Sequence, residues 1–504
     1  MINMIKSKNS TLVRISFIRN QILLTTAFLN CFMFISLCLF SQDSLQMKID
    51  NYVMQQQQAS MTPGVAVGVI SHGKVLLAKG YGLSNVELAT YTDANSVFQL
   101  LSVSKQFIAT GIMLMAESGK ISLNQSITFY LPDVPSSWKN ITVRHLLNHT
   151  SGIMDLTDIH PFFEQIREDA TPQQLLEPVY KEQLLFPAGT QWRYSNSNYF
   201  LLGLIIEKIS GKKLQDFLKI NIFQPLGMTV TRMNDATDVI PYRVSGYNWI
   251  GEDAEKMPAM ISGYHGIKNV LQNAIYISPT RVWAAGGIVS SINDLIKWDS
   301  ALHNNLLLKK ESYLQMITPG KLSSGVETNY GFGNELFEIH GHKIAGHQGG
   351  GMAFNTAFLQ FITDDVTVIV LCNQTTCPGK QMAIHIASFL IPDLDYSAAP
   401  NKNIKESKQI TELFKSVLIN AKNGKVQSEL FASESQETAK FISRAGPDFL
   451  GSKGDLKSVN LVDEKFENGK HSYTYQTIFE KATLIWKFEL NSDNKILNLS
   501  PIEQ

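Results

Sequence analysis

Two hairpin patterns set far apart in the chain limit its fold more than any other feature. "GVAVGVISHGKVLLAKGYG" (64–82) consists of two β-branched-rich runs joined at His72-Gly73. "FNTAFLQFITDDVTVIVLCN" (354–373) repeats the pattern around Asp364-Asp365. The segments between them read as helices: "KQFIATGIMLMAESGK", "YFLLGLIIEKISGK" and "SINDLIKWDSALH" carry apolar residues at helical spacing, and the first two end in Ser-Gly-Lys stop signals. Strands near both ends with helices between them predict an α+β fold: one antiparallel sheet assembled from distant parts of the chain and flanked by a helical region.

The flanks differ from this body. Lys6, Lys8, Arg14 and Arg19 precede the uncharged apolar stretch "QILLTTAFLNCFMFISLCLF", and polar "SQDS" follows, so residues 1–41 are expected to be a signal peptide or an N-terminal membrane anchor. Either way the body, residues 42–397, is expected outside the cytoplasm, in the periplasm or cell envelope. After about residue 397 the polar "SAAPNKNIKESK" leads to an amphipathic helix near 409–421 and alternating strands such as "HSYTYQTIFE" and "ATLIWKFEL", which predicts a separate small α+β domain over 398–504. Forty-four basic residues balance forty-four acidic ones, which gives no reason to expect a nucleic-acid partner and makes a small molecule or peptide the expected one. Beyond the leader only Cys372 and Cys377 remain; a bridge across "CNQTTC" and two buried thiols are both open.

Chemistry enters through Ser-x-x-Lys, which occurs five times, at Ser71, Ser102, Ser136, Ser210 and Ser492. Ser71 falls at a hairpin turn, Ser210 at a helix end, Ser492 in a polar turn and Ser136 before a short polar strand. Only Ser102, in "FQLLSVSKQF", opens a long apolar helix, where residues i and i+3 share a face and Lys105 can reach the Ser102 hydroxyl. Burial there lowers a lysine's pKa and makes it usable as a base, and the helix N-terminus favours negative charge. An N-cap serine followed by a solvated lysine is the other reading of the motif alone.

Six segments in order, "FQLLSVSKQF", "ITVRHLLNHTSGI", "FPAGTQWRYSNSNYFLLGLIIEKISGK", "AAGGIVSSINDLIKW", "YGFG" and "IAGHQGGGMAFNTAF", resemble the serine hydrolases of the class C β-lactamase and D-alanyl-D-alanine carboxypeptidase type over roughly residues 45–395. The resemblance implies a β-lactamase/transpeptidase-like fold with Ser102 as nucleophile. Of the sixteen tyrosines only Tyr194 is followed two places later by asparagine. By resemblance Tyr194 is the general base or shares that role with Lys105, and Asn196 orients the substrate; Asn196 or Ser197 also suits the N-cap of the next helix. His347-Gln348-Gly349 stands where many relatives carry Lys-Thr-Gly, so the charge offered to a substrate carboxylate is conditional near neutral pH, and a D-amino-acid peptide or an ester fits better than a β-lactam. Gly349 lets a ligand lie against a strand edge, and the Gly350 backbone N–H joins that of Ser102 in the implied oxyanion hole.

Rival patterns are missing: the chain has no Gly-x-Ser-x-Gly elbow, His-Glu-x-x-His, paired Cys-x-x-Cys or phosphate-binding loop. No metal or organic cofactor is called for, and His145 and His149 read as structural. The expectation is an exported serine hydrolase that forms an acyl-enzyme on an amide or ester bond. The rival is a non-catalytic penicillin-binding-like sensor that keeps the pocket. The C-terminal segment resembles the small cystatin-like or nuclear-transport-factor-like cones appended to such hydrolases, with no motif to choose among peptide binding, covering the site or dimerisation.

Overall fold

A computed structural model describes residues 44–250, 270–351, 353–391, 394, 407–451, 453–467, 470–480 and 482–502. The expected leader and the expected boundary near 397 lie outside these residues. The chain divides into two units, 1–56 and 57–504; the described part of the first is helical from residue 44. Among the described residues no helix is long and apolar enough to cross a membrane.

The second unit is built on a seven-stranded antiparallel sheet. Its strands are β1 (Gly64–Ser71), β2 (Lys74–Asn85), β3 (Thr90–Tyr91), β4 (Glu335–Ile339), β5 (His342–Gly351), β6 (Phe354–Phe361) and β7 (Val366–Cys372), in the order β3-β2-β1-β7-β6-β5-β4. The two hairpins read from the sequence therefore meet at the centre, where Val65 faces Cys372 and Val69 faces Val368. Both central strands are buried on both faces, which explains their continuous β-branched composition.

Three helices sit where the periodicity placed them: α1 (Ser104–Glu117), α2 (Asn196–Ser210) and α3 (Ile292–His303). The chain stops α2 by entering the left-handed region at Gly211, φ 67°. Helix α1 is buried nearly all round. Its Phe107 packs against Trp298 of α3 at 4.3 Å between ring centroids and against Phe223 at 5.6 Å, and truncating it to alanine is expected to cost about 3–5 kcal/mol. That burial fixes the axial position of Ser102 and Lys105. Ser136 lies in a 3-10 turn, Ser136–Trp138, rather than before a strand, because buried Trp138 folds the segment back onto the core.

Residues 408–502 form a four-stranded antiparallel meander, β8 (Leu456–Glu467), β9 (Lys470–Phe479), β10 (Thr483–Leu490) and β11 (Ile496–Ile502). Helices α5 (Lys408–Lys422) and α6 (Gln436–Gly451) accompany it, after α4 (Gly379–Ser388) of the main sheet. Phe414 of α5 stacks on Tyr475 of β9 at 4.2 Å, within a core that draws on these elements and on Phe431 of the segment between the two helices. The sequence reading did not place α6, which contains Pro447 and follows a polar stretch.

Candidate active site

Ser102 sits in a 3-10 turn, Leu101–Val103, that runs directly into α1. Leu101 is held at φ 50°, a conformation costly for a leucine, at the turn between the short strand Phe98–Gln99 and Ser102. Three residues on, Lys105 is fully buried, and its Nζ lies 3.0 Å from Ser102 Oγ, 2.9 Å from Asn196 Oδ1 and 2.8 Å from the Ala285 carbonyl oxygen. Burial pulls its pKa down from 10.5 to about 7, although Asp155 and Glu335 work in the opposite direction. As a neutral amine it keeps two N–H bonds, to Asn196 and Ala285, and its lone pair is left aimed at the Ser102 hydroxyl. Of the five Ser-x-x-Lys lysines only Lys105 is buried; Lys74, Lys139, Lys213 and Lys495 are exposed.

Tyr194 approaches from the other side, its Oη donating to Ser102 Oγ at 2.9 Å. Burial raises its pKa well above the ordinary tyrosine value, so the phenol keeps its proton at neutral pH. The chain is extended at Ser195, which takes the N-cap position, and Asn196 is the first helical residue of α2. The cap's hydrogen-bonding task passes to Asp155, whose Oδ2 accepts from both Asn196 N and Asn196 Nδ2 at 2.9 Å. This bond fixes the amide: its nitrogen faces Asp155, so its oxygen faces Lys105.

Strand β5 supplies the third wall. Ile362 N–H donates to the Lys343 carbonyl at 2.8 Å, so odd-numbered β5 residues direct their backbone groups to β6 and even-numbered ones to the opposite side. Strand β4 covers that side only from His342 to Gly346. The backbone groups of Gln348 and Gly350 therefore face an open edge. Gly349 is packed so tightly that a Cβ on it would lie 2.3 Å from the Leu100 oxygen and 2.4 Å from Thr356 Oγ1, which brings the edge against the turn carrying Ser102. A Cβ on Gly350 meets nothing within 4 Å.

His347 does not behave as a conditional cation. It is buried, and burial lowers its pKa to about 4 against the opposing pull of Glu335. The ring is neutral at pH 7. Its Nδ1 lies 2.6 Å from the Gln348 carbonyl oxygen, which requires Nδ1–H as donor, and Nε2 then accepts from Tyr330 Oη at 2.8 Å.

Four participants carried no assignment in the sequence. Asp155 had no motif of its own; Tyr330 stood in the matched "YGFG" but without a role. Glu335 and Lys380 form an ion pair at 2.8 Å, the carboxylate approaching His347 Nδ1 at 3.7 Å. Burial works against the Glu335 charge, but His347, Lys380 and the Gln348 N–H hold its pKa below the usual carboxylate value. Of the two histidines read as structural, His145 closes a capping box with Thr142. His149 is buried and held neutral, accepts at Nδ1 from Ser195 N at 3.3 Å, and packs its ring 4.4 Å from Tyr194 and 4.6 Å from Tyr330. A cleft of about 880 Å³ opens elsewhere, between Phe223, Met228, Arg232 and Trp283, and none of the serine's partners line it.

The family described as Beta-lactamase matches residues 49–390. A penicillin-binding protein of Bacillus subtilis (strain 168) is 31% identical over 320 residues, covering 62% of this chain and 68% of that protein. A protein of Gluconobacter oxydans (strain 621H) named D-aminopeptidase is 24% identical over 356 residues, covering 69% of this chain and 63% of its own length. Among solved structures, the D-amino acid amidase from Ochrobactrum anthropi SV3 complexed with D-phenylalanine shares the fold at a TM-score of 0.56 and 23% identity, over 66% of this chain and 92% of that one.

Proposed function

The chain belongs to the beta-lactamase family of serine hydrolases, and from that premise we propose that it cleaves an amide or ester bond through an acyl-enzyme on Ser102, acting outside the cytoplasm. The observation that carries this reading is the convergence of Lys105 Nζ and Tyr194 Oη on one serine oxygen, at 3.0 and 2.9 Å, with the lysine's pKa brought to about 7.

Neutral Lys105 takes the Ser102 proton as Oγ bonds to the carbonyl carbon. The charge that develops on the carbonyl oxygen is met by the backbone N–H groups of Ser102 and Gly350, the first in an unpaired helix-start position and the second on the open strand edge. As the bond to nitrogen or oxygen breaks, the departing atom receives a proton from Tyr194, which is replenished from Lys105. Water then attacks the ester with the same lysine as base, giving a carboxylic acid and restoring Ser102. Tyr194 is a proton relay in this scheme; its raised pKa leaves the resting base role to Lys105. The names of the relatives favour substrates with a D-amino acid.

The test is release of amine or alcohol from matched D- and L-amino-acid amides and esters. Turnover of a D-series member by wild type, lost in Ser102→Ala, supports the reading; equal turnover by the mutant contradicts it. Export is checked separately, by whether the secreted or membrane-fraction protein begins near residue 42 or retains its leader.

A further inference from the structure

The Gly350 N–H, one of the two oxyanion donors in the scheme above, lies in a stretch with little support of its own. Gly349, Gly350 and Gly351 follow one another at the end of β5, so no side chain steers the backbone there, and glycine has the widest conformational range to lose. Pairing with β6 holds one edge, with Gly349 opposite Thr356 and Gly351 opposite Phe354. On the other edge β4 reaches only as far as Gly346. Beyond the strand, Ala353 is held at φ 108°, which a residue other than glycine keeps only where its surroundings enforce it.

The enforcing group comes from the segment after β7. Thr375 Oγ1 accepts from Ala353 N–H at 2.8 Å and donates to the Gly351 carbonyl oxygen at 2.8 Å, nearer than its other acceptor, Asn248 Oδ1, at 3.1 Å. One hydroxyl thus spends both its donor and its acceptor capacity on backbone groups at the end of β5.

Thr375 can do this because its own segment is tied down. The Cys372–Cys377 bridge encloses it. Buried Asn373 accepts at Oδ1 from Gly64 N–H of β1 at 2.7 Å and donates through Nδ2 to the Leu83 carbonyl oxygen of β2 at 3.0 Å. Buried Gln374 donates to the Ser60 carbonyl oxygen at 3.1 Å and accepts from Thr376 N–H at 2.8 Å. Thr375 itself is exposed and fills no part of the core.

We propose that Thr375 is a positioning residue for the reaction: by fixing the turn after β5, it keeps the Gly350 N–H aimed at the carbonyl oxygen of the substrate. The proposal rests on the acyl-enzyme reading above and adds to it a residue that acts through Gly350 rather than on Ser102.

The experiment compares acylation by an activated ester with acylation by its thiono counterpart, in which sulfur replaces the carbonyl oxygen. Sulfur accepts hydrogen bonds weakly, so the oxygen ester gains from a well-aimed N–H and the thionoester gains little. Each rate is divided by that ester's own hydroxide-catalysed rate. The ratio of the two within one variant is then independent of how much of it is folded. Thr375→Val keeps the shape and removes the hydroxyl. It should lower the oxygen-ester rate about tenfold, a part of the roughly 10²–10³ that losing a whole oxyanion donor costs, and lower the oxygen-to-sulfur ratio by about as much. The ester concentration giving half-maximal acylation should stay within about twofold, because the lost interaction belongs to the transition state. Thr375→Ser keeps the hydroxyl and should bring rate and ratio back to within about threefold of wild type. If both esters slow in step in Thr375→Val, the site has loosened generally and the proposal is overturned. Wild-type kinetics in Thr375→Val, or a serine variant as slow as the valine one, overturn it too. In each of these cases wild type still acylates Ser102 and the acyl-enzyme reading stands; no acylation of wild type by either ester refutes that reading as well.

Discussion

Neighbouring glycines at 349 and 350 should respond to the same substitution in opposite ways. In Gly349→Ala the new methyl would lie 2.3 Å from the Leu100 oxygen, 2.4 Å from Thr356 Oγ1 and 3.0 Å from Leu101 Cβ. The Leu100 oxygen is backbone and also accepts from Thr356 Oγ1 at 2.8 Å, so neither partner swings aside, and restoring van der Waals distance requires β5 and the Ser102 turn to separate by about 1 Å. Such a shift withdraws the Gly350 N–H from the forming oxyanion. Loss of one such donor costs about 10²–10³ in rate, or about 2.7–4 kcal/mol of transition-state stabilisation, while overpacking lowers stability by about 1–3 kcal/mol. In Gly350→Ala the methyl meets nothing within 4 Å, so stability should change by about 0.5 kcal/mol or less, and the effect should fall on KM for bulky substrates. Burst-phase acylation by an activated ester, with thermal melting of each variant, separates the two. If Gly349→Ala acylates within threefold of wild type, or if Gly350→Ala melts as low as Gly349→Ala, the packing argument is wrong.

Acylation should rise with pH along a single ionisation centred near 7, because the neutral amine of Lys105 is the base and its pKa is lowered to about 7; a rate constant flat from pH 5 to 9 would exclude that role. The same shift has a stability consequence: the unfolded lysine binds a proton that the folded one has lost, so between about 7 and 10 unfolding free energy should climb with pH, and Lys105→Met should flatten that climb in melting experiments. Asp155→Ala leaves the Asn196 N–H and Nδ2 without the oxygen that receives both at 2.9 Å; acylation should fall at least tenfold, and stability by about 1–3 kcal/mol, measured by denaturant unfolding. Peptide mapping without reductant should recover Cys372 joined to Cys377, and alkylation of both as free thiols would contradict the bridge.

Periodicity and turn chemistry made the central sheet, α1, α2 and α3 legible, because each is a long element whose pattern repeats. Ser102, Lys105, Tyr194 and Asn196 were legible through spacing and resemblance, and the structure brings the four together. What the sequence could not convey is electrostatics, which depends on burial. "HQG" reads the same whether the imidazole is solvated or enclosed, and only the fold shows that His347 is enclosed beside Tyr330 and neutral. Asp155 and Glu335 are ordinary carboxylates in the sequence. They become part of the site because a loop and a strand end deliver them to Asn196 and His347, across separations that no local pattern records. The disulfide likewise stayed open between two readings until the turn after β7 was seen to bring Cys377 back to Cys372.

The most direct test of the account is the intact mass of the folded protein after brief exposure to an activated ester, wild type beside Ser102→Ala. The account predicts one acyl group on wild type, mapped to the peptide containing Ser102, and none on the mutant. An unmodified wild type, or equal labelling of Ser102→Ala, would contradict it.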